Sequence, residues 1–188
     1  MYFCTMLFKN FSRLILKIWG WKIDPNKPRV KKCVMIAAPH TSNWDFILGF
    51  LYSRSIGSKI NFMIKKELFF FPLGVLLKWM GGIPVDRRNS NRMVQQVVNI
   101  FNLRDHIHLT ITPEGTREKV SEWKKGFYYI ARRAHVPIYV GYLDYRKKEI
   151  GFITEFFPTD NADSDIRRIK SFYTNITPRH PERFSAGN

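Results

Sequence analysis

The sequence predicts an α/β fold: a single domain whose mostly parallel or mixed sheet is flanked by helices, entered through an amino-terminal amphipathic helix. Three observations carry this expectation. Short apolar runs rich in Val, Ile, Leu and Phe recur at 32–38, 59–64, 82–86, 107–112, 136–143 and 149–156, with stretches of helical length between most of them. Strand, helix, strand in that order implies parallel strands covered by their crossovers. The 188 residues, 45% of them hydrophobic, match one domain with a substantial core, and no repeat, low-complexity tract or evident linker divides them.

Residues 1–21 are rich in Phe, Leu, Ile and Trp, but Lys9, Arg13 and Lys17 interrupt them at four-residue spacing. On a helix these cations form one stripe. Phe8, Phe11, Leu14, Ile15, Ile18 and Trp19 fall mostly on other faces, as in a helix lying in the headgroup region with its cations toward lipid phosphates. Packing on the domain's own core is the alternative use of such a helix. Spanning a bilayer takes about 20 predominantly apolar residues, which the cations deny, and no small-residue cleavage site marks a removable leader.

The body of the domain is expected over 22–176, with 177–188 as a partly irregular tail. After the strand at 32–38, Ser42 or Asn43 can cap a helix over 43–55. A second helix fits 66–80, although Pro72 breaks its apolar run from Leu68 to Leu77. That run is too short to span, so it either packs inside or presents its Phe cluster to a lipid phase. Ser90 suits the cap of a helix over 91–104, and further helices fit 122–134 and 162–175. Arg146-Lys147-Lys148 turns the last two strands into an antiparallel hairpin.

Thirty-one Lys and Arg against fifteen Asp and Glu give a net charge of +16, so the molecule is drawn to polyanions. Nucleic acid and an anionic membrane both qualify, and the five Trp, eight Tyr and sixteen Phe suit base stacking or interfacial anchoring alike. No nucleic-acid reading motif is recognisable, and the amino terminus favours the membrane; no nucleic-acid partner is expected. Two cysteines, Cys4 and Cys33, argue against a disulfide framework or a thiolate zinc site and fit a reducing cytosol. His106 and His108 alternate on a strand without acidic or thiol neighbours, so no metal is expected. Gly-x-Gly-x-x-Gly and Walker loops are missing.

Chemistry gathers at strand ends. His40-Thr41-Ser42-Asn43-Trp44-Asp45 follows the apolar run Val34 to Ala38. On one helix, residues five apart lie about 140° around the axis and do not meet, so His40 belongs in a turn with Asp45 in the first turn of the following helix. There the carboxylate can reach back to fix the imidazole's tautomer. By itself such a pair is equally a loop histidine and a capping acid. Thr112-Pro113-Glu114-Gly115-Thr116-Arg117 closes another strand, Gly81-Gly82-Ile83-Pro84-Val85-Asp86-Arg87-Arg88 turns from apolar to basic, and Val136-Pro137-Ile138-Tyr139-Val140 starts a fifth. In open parallel sheets, ligands bind beyond the carboxyl ends of strands, where His40, Arg87 and Glu114 all fall.

His-x4-Asp, then Gly-x-Ile-x-Val-Asp-Arg, then Pro-Glu-Gly-Thr-Arg, then Val-Pro-Ile resembles the glycerolipid acyltransferases typified by 1-acylglycerol-3-phosphate acyltransferase, over about Cys33 to Tyr142. The resemblance implies an acyltransferase domain over 22–176. It implies transfer of a fatty acyl group from acyl-CoA or acyl carrier protein, without a cofactor, to a hydroxyl of a lysophospholipid. On the same terms His40 is the general base and Asp45 its partner. Arg87, Glu114, Gly115, Thr116 and Arg117 bind the acceptor, and Val136 and Pro137 shape the acyl-donor side. Amides near Gly115 or at the helix start are candidate oxyanion donors, and Cys33 is a small buried residue and not a nucleophile. The expected location is the cytoplasmic face of the cell membrane, peripheral or monotopic. Thr112, Pro84 and Glu118 depart from common family residues, which leaves open another acceptor such as a lyso-aminolipid or lipid A precursor. A basic nucleic-acid-binding protein is the rival reading from outside the enzyme class.

Overall fold

In the computed structural model, residues 2–86 and 88–185 are described, with side chains from residue 6 onward. Helix α1 (Tyr2–Ile18) leads to a two-residue strand β1 (Lys22–Ile23), then β2 (Lys32–Ala38), α2 (Asn43–Ser55), β3 (Ile60–Lys65), α3 (Leu73–Met80) and β4 (Gly82–Val85). There follow α4 (Ser90–Leu103), β5 (Ile107–Ile111), α5 (Gly126–Arg133), β6 (Ile138–Asp144), β7 (Glu149–Phe156) and α6 (Ala162–Ser171). The strands form one mixed sheet in the order β1-β7-β6-β2-β5-β3-β4. Only β6 and β7 run antiparallel among its described pairs, as the hairpin at Arg146 to Lys148 requires. The expected α/β class, mixed sheet and leading helix are all present.

The chain runs from β2 outward through β3 to the edge strand β4, then returns through β5 to β6 on the other side of β2. Right-handed crossovers therefore place α2 and α3 on one face and α4 and α5 on the other. Alternating strand residues serve the two faces: Val34, Ile36 and Ala38 pack with Val97, Phe101, Phe127, Ile130 and Ile169 from α4, α5 and α6. The opposite face holds a smaller cluster of Leu16, Leu48, Tyr52, Ile56, Leu143 and Ile150. Neighbouring β2 and β5 send their following helices to opposite faces, so the crevice between their carboxyl ends is the topological switch point where such sheets bind ligands.

Three elements differ from expectation. The helix expected at 66–80 is a 3-10 turn at Lys66–Leu68, a break, and then α3 from Leu73. Pro72 lacks the N–H that a continuous helix needs. Gly81 closes α3 with φ +105, and a Cβ there would lie 2.2 Å from the Ile60 carbonyl oxygen. The helix expected from 122 begins at Gly126, because the Lys124 amide is turned to the Pro113 carbonyl at 2.8 Å. Strand β1 carries too short a pattern to be read and pairs parallel with β7.

The tail is tied to the body. Thr177 accepts from the Tyr145 amide at 2.8 Å, Thr41 Oγ1 accepts from the His180 amide at 3.2 Å, and Arg183 pairs with Glu118 at 3.4 Å.

Candidate active site

Apolar β2 delivers His40 to the carboxyl edge of the sheet, where Ser42 starts α2. The Ser42 hydroxyl accepts from the Trp44 amide at 3.2 Å, and Asp45, third residue of the helix, completes a capping box by accepting from the Ser42 amide. The same oxygen, Oδ2, accepts from the Thr41 and Ser42 amides at 2.8 Å each and lies 3.2 Å from His40 Nδ1. Capping and imidazole orientation are thus one structure. With Nδ1 donating to Asp45, the neutral ring keeps its lone pair on Nε2. The Asp45 side chain is 4% exposed and that of His40 13%, so the imidazole is the more accessible of the two.

Tyr145, in the turn between β6 and β7, donates to the other Asp45 oxygen at 2.5 Å. Burial alone would raise the Asp45 pKa. Hydrogen bonds from His40, Tyr145 and the Ser42 amide outweigh it and hold the carboxyl below its usual range.

Glu114, just past β5, is buried and accepts from the His40 amide at 3.1 Å. It pins the backbone of the histidine; among the described residues no arginine pairs with it. Burial pushes its pKa up to about 7, and its Oε2 is buried without a hydrogen-bond partner. Gly115 follows with φ +67, a left-handed conformation that favours glycine.

A cavity of about 500 Å³ opens at this site, lined by His40 and Asp45. One side is apolar: Phe46, Gly49 and Phe50 of α2 with Met35, Ile60 and Phe62 of the sheet. The other side carries Ser90, Gly115, Arg117 and Lys124 near the starts of α4 and α5. Lys124 was not among the residues singled out from the sequence; it lies seven positions beyond Arg117 in an irregular stretch with no pattern to mark it. Its side chain lies where a Cβ on Gly115 would be, at 2.8 Å, which joins it to the Glu114–Arg117 turn.

The remaining candidates separate. Thr116 is half-buried and its hydroxyl accepts from the Glu118 amide at 3.3 Å, without lining the cavity. Arg87 lies outside the described residues. Val136 and Pro137 are buried at the amino end of β6, where the Pro137 carbonyl accepts from the Val34 amide at 3.0 Å. Parallel register sets β6 beside the start of β2, about 13 Å of strand from its carboxyl end, so this pair joins the core and not the cavity lining. The oxyanion amides also shift: those of Thr41 and Ser42 serve Asp45, and that of Gly115 bonds to the Thr112 carbonyl at 3.1 Å. Cys33 is fully buried in β2, where burial raises its thiol pKa. His108, at the opposite end of the sheet, bonds to Ser58 and to the Val30 carbonyl at 2.9 Å each. Among the described residues no group of His, Cys, Asp and Glu could hold a metal ion.

A family model described as Acyltransferase matches residues 22–142, more than half the chain. The chain belongs to the acyltransferase family. Among curated proteins, the 1-acyl-sn-glycerol-3-phosphate acyltransferase of Limnanthes alba is 24% identical over 93% of this chain and 70% of its own length. That of Limnanthes douglasii is 28% identical over 66% of this chain and 46% of its own. The human beta enzyme of that name is 26% identical over 68% and 48%; the chain thus spans about half the length of these last two. The crystal structure of the 1-acyl-sn-glycerophosphate (LPA) acyltransferase PlsC from Thermotoga maritima aligns with a TM-score of 0.58. It covers 93% of this chain and 81% of that one at 15% identity, a likeness of fold.

Proposed function

We propose that this acyltransferase moves a fatty acyl group from an acyl thioester, acyl-CoA or acyl carrier protein, to a hydroxyl of a lysophospholipid, with 1-acylglycerol-3-phosphate as first candidate. The observation that carries the reading is an imidazole–carboxylate pair opening onto a largely apolar cavity that also carries Arg117 and Lys124. Its volume of about 500 Å³ lies within the ordinary range for ligand sites, roughly 300–1,000 Å³. The acyl chain lies along Phe46, Gly49, Phe50 and Phe62, and the acceptor's anionic group meets Arg117 and Lys124; the motif resemblance alone adds Arg87. His40 Nε2 takes the hydroxyl proton as the oxygen attacks the thioester carbonyl. The imidazolium is stabilised by Asp45, and its proton then goes to the departing thiolate. Glu114 and Gly115 shape the loop instead of touching phosphate.

The chain works at a membrane surface, on the cytoplasmic side. Met6, Leu7, Phe8, Phe11, Leu14 and Ile18 of α1 are exposed, as are Phe70, Phe71, Val75, Leu76 and Trp79 around α3. Phe8 packs edge-on against Trp79, 6.1 Å between centroids, which joins the two sets into one apolar surface. Such a surface marks an interaction site. Arg13 departs from the expected cationic stripe toward lipid: its Nε donates to the Ser55 carbonyl at the end of α2, 2.9 Å away, so α1 is held to the domain while its apolar side faces out. No described helix is long and apolar enough to cross a bilayer. The decisive experiment supplies purified protein, on anionic vesicles, with acyl-CoA or acyl carrier protein and a panel of lysolipids, and reads products by mass spectrometry. Diacylglycerol-3-phosphate is expected; acylation of a different lysolipid would reassign the acceptor, and no acyl transfer to any of them would overturn the reading.

A further inference from the structure

Asp45 is separated from Tyr145 by 100 residues, yet their side chains form one of the shortest contacts at the site, 2.5 Å. The tyrosine is built in from several sides. Its ring meets Trp21 edge-on at 5.1 Å, and its amide bonds to the Thr177 carbonyl at 2.8 Å. The positive charge of Arg179 acts on its hydroxyl, favouring the ionised phenol, while the guanidinium rests 5.4 Å from the Trp44 ring centroid. A chain of contacts therefore runs from Tyr145 through Asp45 to His40. The phenol donates to the carboxylate, the carboxylate accepts from the imidazole, and the charge of Arg179 stands behind the phenol.

We propose that Tyr145 is a positioning residue for the His40–Asp45 pair, its hydroxyl fixing Oδ1 of Asp45 so that Oδ2 stays aligned with the imidazole. The inference rests on the acyl-transfer reading for its kinetic consequence but not for its geometry. Charge reinforces it. The groups facing Asp45 are His40 from its own loop and Tyr145 from the β6–β7 turn, with Glu114 behind His40 and Arg179 behind Tyr145. Loss of the phenol removes one of the contacts that keep the buried carboxyl ionised, so Asp45 takes up a proton at higher pH and releases the ring.

Tyr145→Phe tests this with the ring packing retained. The expected result is a kcat lower by roughly ten- to a hundredfold, the scale of a hydrogen bond to a charged group, with KM little changed. Activity on the acid side should also be lost at a higher pH. Tyr128→Phe is the control, since Tyr128 donates to buried Asp165 at 2.8 Å away from the site; it should lower Tm and leave kcat and the pH profile alone. Arg179→Gln, at an exposed residue, should shift both readouts in the same direction by less. A Tyr145→Phe enzyme with wild-type kcat and pH profile overturns the proposal, as does a loss no larger than that of the control. Should the wild type acylate no lysolipid, the functional reading fails, and NMR titration of the His40 imidazole still decides. A low-pH inflection moved upward in Tyr145→Phe supports the positioning role, and superimposable curves refute it.

Discussion

The two faces of the sheet are built from the same strands and differ in almost everything else. Against α4, α5 and α6, residues such as Phe101, Tyr128, Ile130 and Ile169 are essentially inaccessible, packed at the density expected of protein interiors. Against α1, α2 and α3 there is a smaller buried cluster, the apolar side of a cavity of about 500 Å³, and most of the exposed large apolar residues. The difference separates holding the fold from using it. One face holds the strands in place, so that the other can leave most of the cavity's apolar wall and an exposed apolar surface uncovered.

Substitutions on the two faces should therefore fail in different ways. His40→Ala is expected to lower turnover by about 10²- to 10⁴-fold, the usual contribution of a positioned base, with an unchanged melting temperature. Phe101→Ala, deep in the closed face, should cost about 3–5 kcal/mol of stability while the folded fraction keeps its KM. Turnover assays beside thermal melts separate the two. Equal losses of stability from both variants would erase the distinction between the faces.

Gly49 sharpens the comparison from inside the cavity. It sits in α2, lines the cavity, and a Cβ there would meet nothing within 4 Å. Gly49→Met fills the space proposed for the acyl chain and removes a helix-interior glycine, itself a gain of roughly 0.5–1 kcal/mol. Long-chain donors should lose about tenfold in kcat/KM relative to short ones, the scale of a methylene mismatch, with Tm equal or higher. An unchanged chain-length profile would remove the acyl chain from this side. Further out, Phe71 is 86% exposed. Phe71→Asp should weaken binding to anionic vesicles by about tenfold or more, since burial of a Phe side chain is worth roughly 1.5–3 kcal/mol, without lowering Tm. Vesicle flotation at constant salt reads the effect, and undiminished binding would move the membrane contact elsewhere.

Legibility in the sequence followed the same division. The closed face is written in contiguous, periodic residues: the alternation of β2 and the Val94, Val97, Val98 and Phe101 spacing of α4. The approach of His40 to Asp45 was legible for a related reason, because the two share one short turn and one capping box. What joins them to the rest was not. Tyr145 reaches Asp45 across 100 residues, Lys124 enters the cavity from an irregular stretch, and Arg13 turns to the Ser55 carbonyl. Each is a single polar residue placed by tertiary contact, leaving no period to read. Pro72 was visible, but whether the Phe cluster turned in or out depends on packing that composition does not encode.

The two acids of the site are pushed in opposite directions, which gives the smallest expected effect on turnover and a distinct pH signature. Glu114, with its pKa raised to about 7 by burial against an ordinary 4.5, is protonated in the folded state and ionised in the unfolded chain between those values. Its contribution to stability is fully present below about pH 4.5 and is lost as pH rises through about 7. Asp45, held below its usual range, contributes above the ordinary carboxylate pKa and loses that contribution only as pH falls through its lowered value, so the two windows lie apart. Glu114→Gln keeps an oxygen for the His40 amide and cannot ionise. It should flatten the fall of Tm between about pH 4.5 and 7 and be the more stable form at pH 8, by on the order of 1–3 kcal/mol. Turnover at pH 8 should stay within about threefold, less than one neutral hydrogen bond. Melts across that range decide the matter: a variant with the wild-type slope would mean that Glu114 is ionised throughout, and that the loop holding His40 is anchored by a charge already present near pH 5.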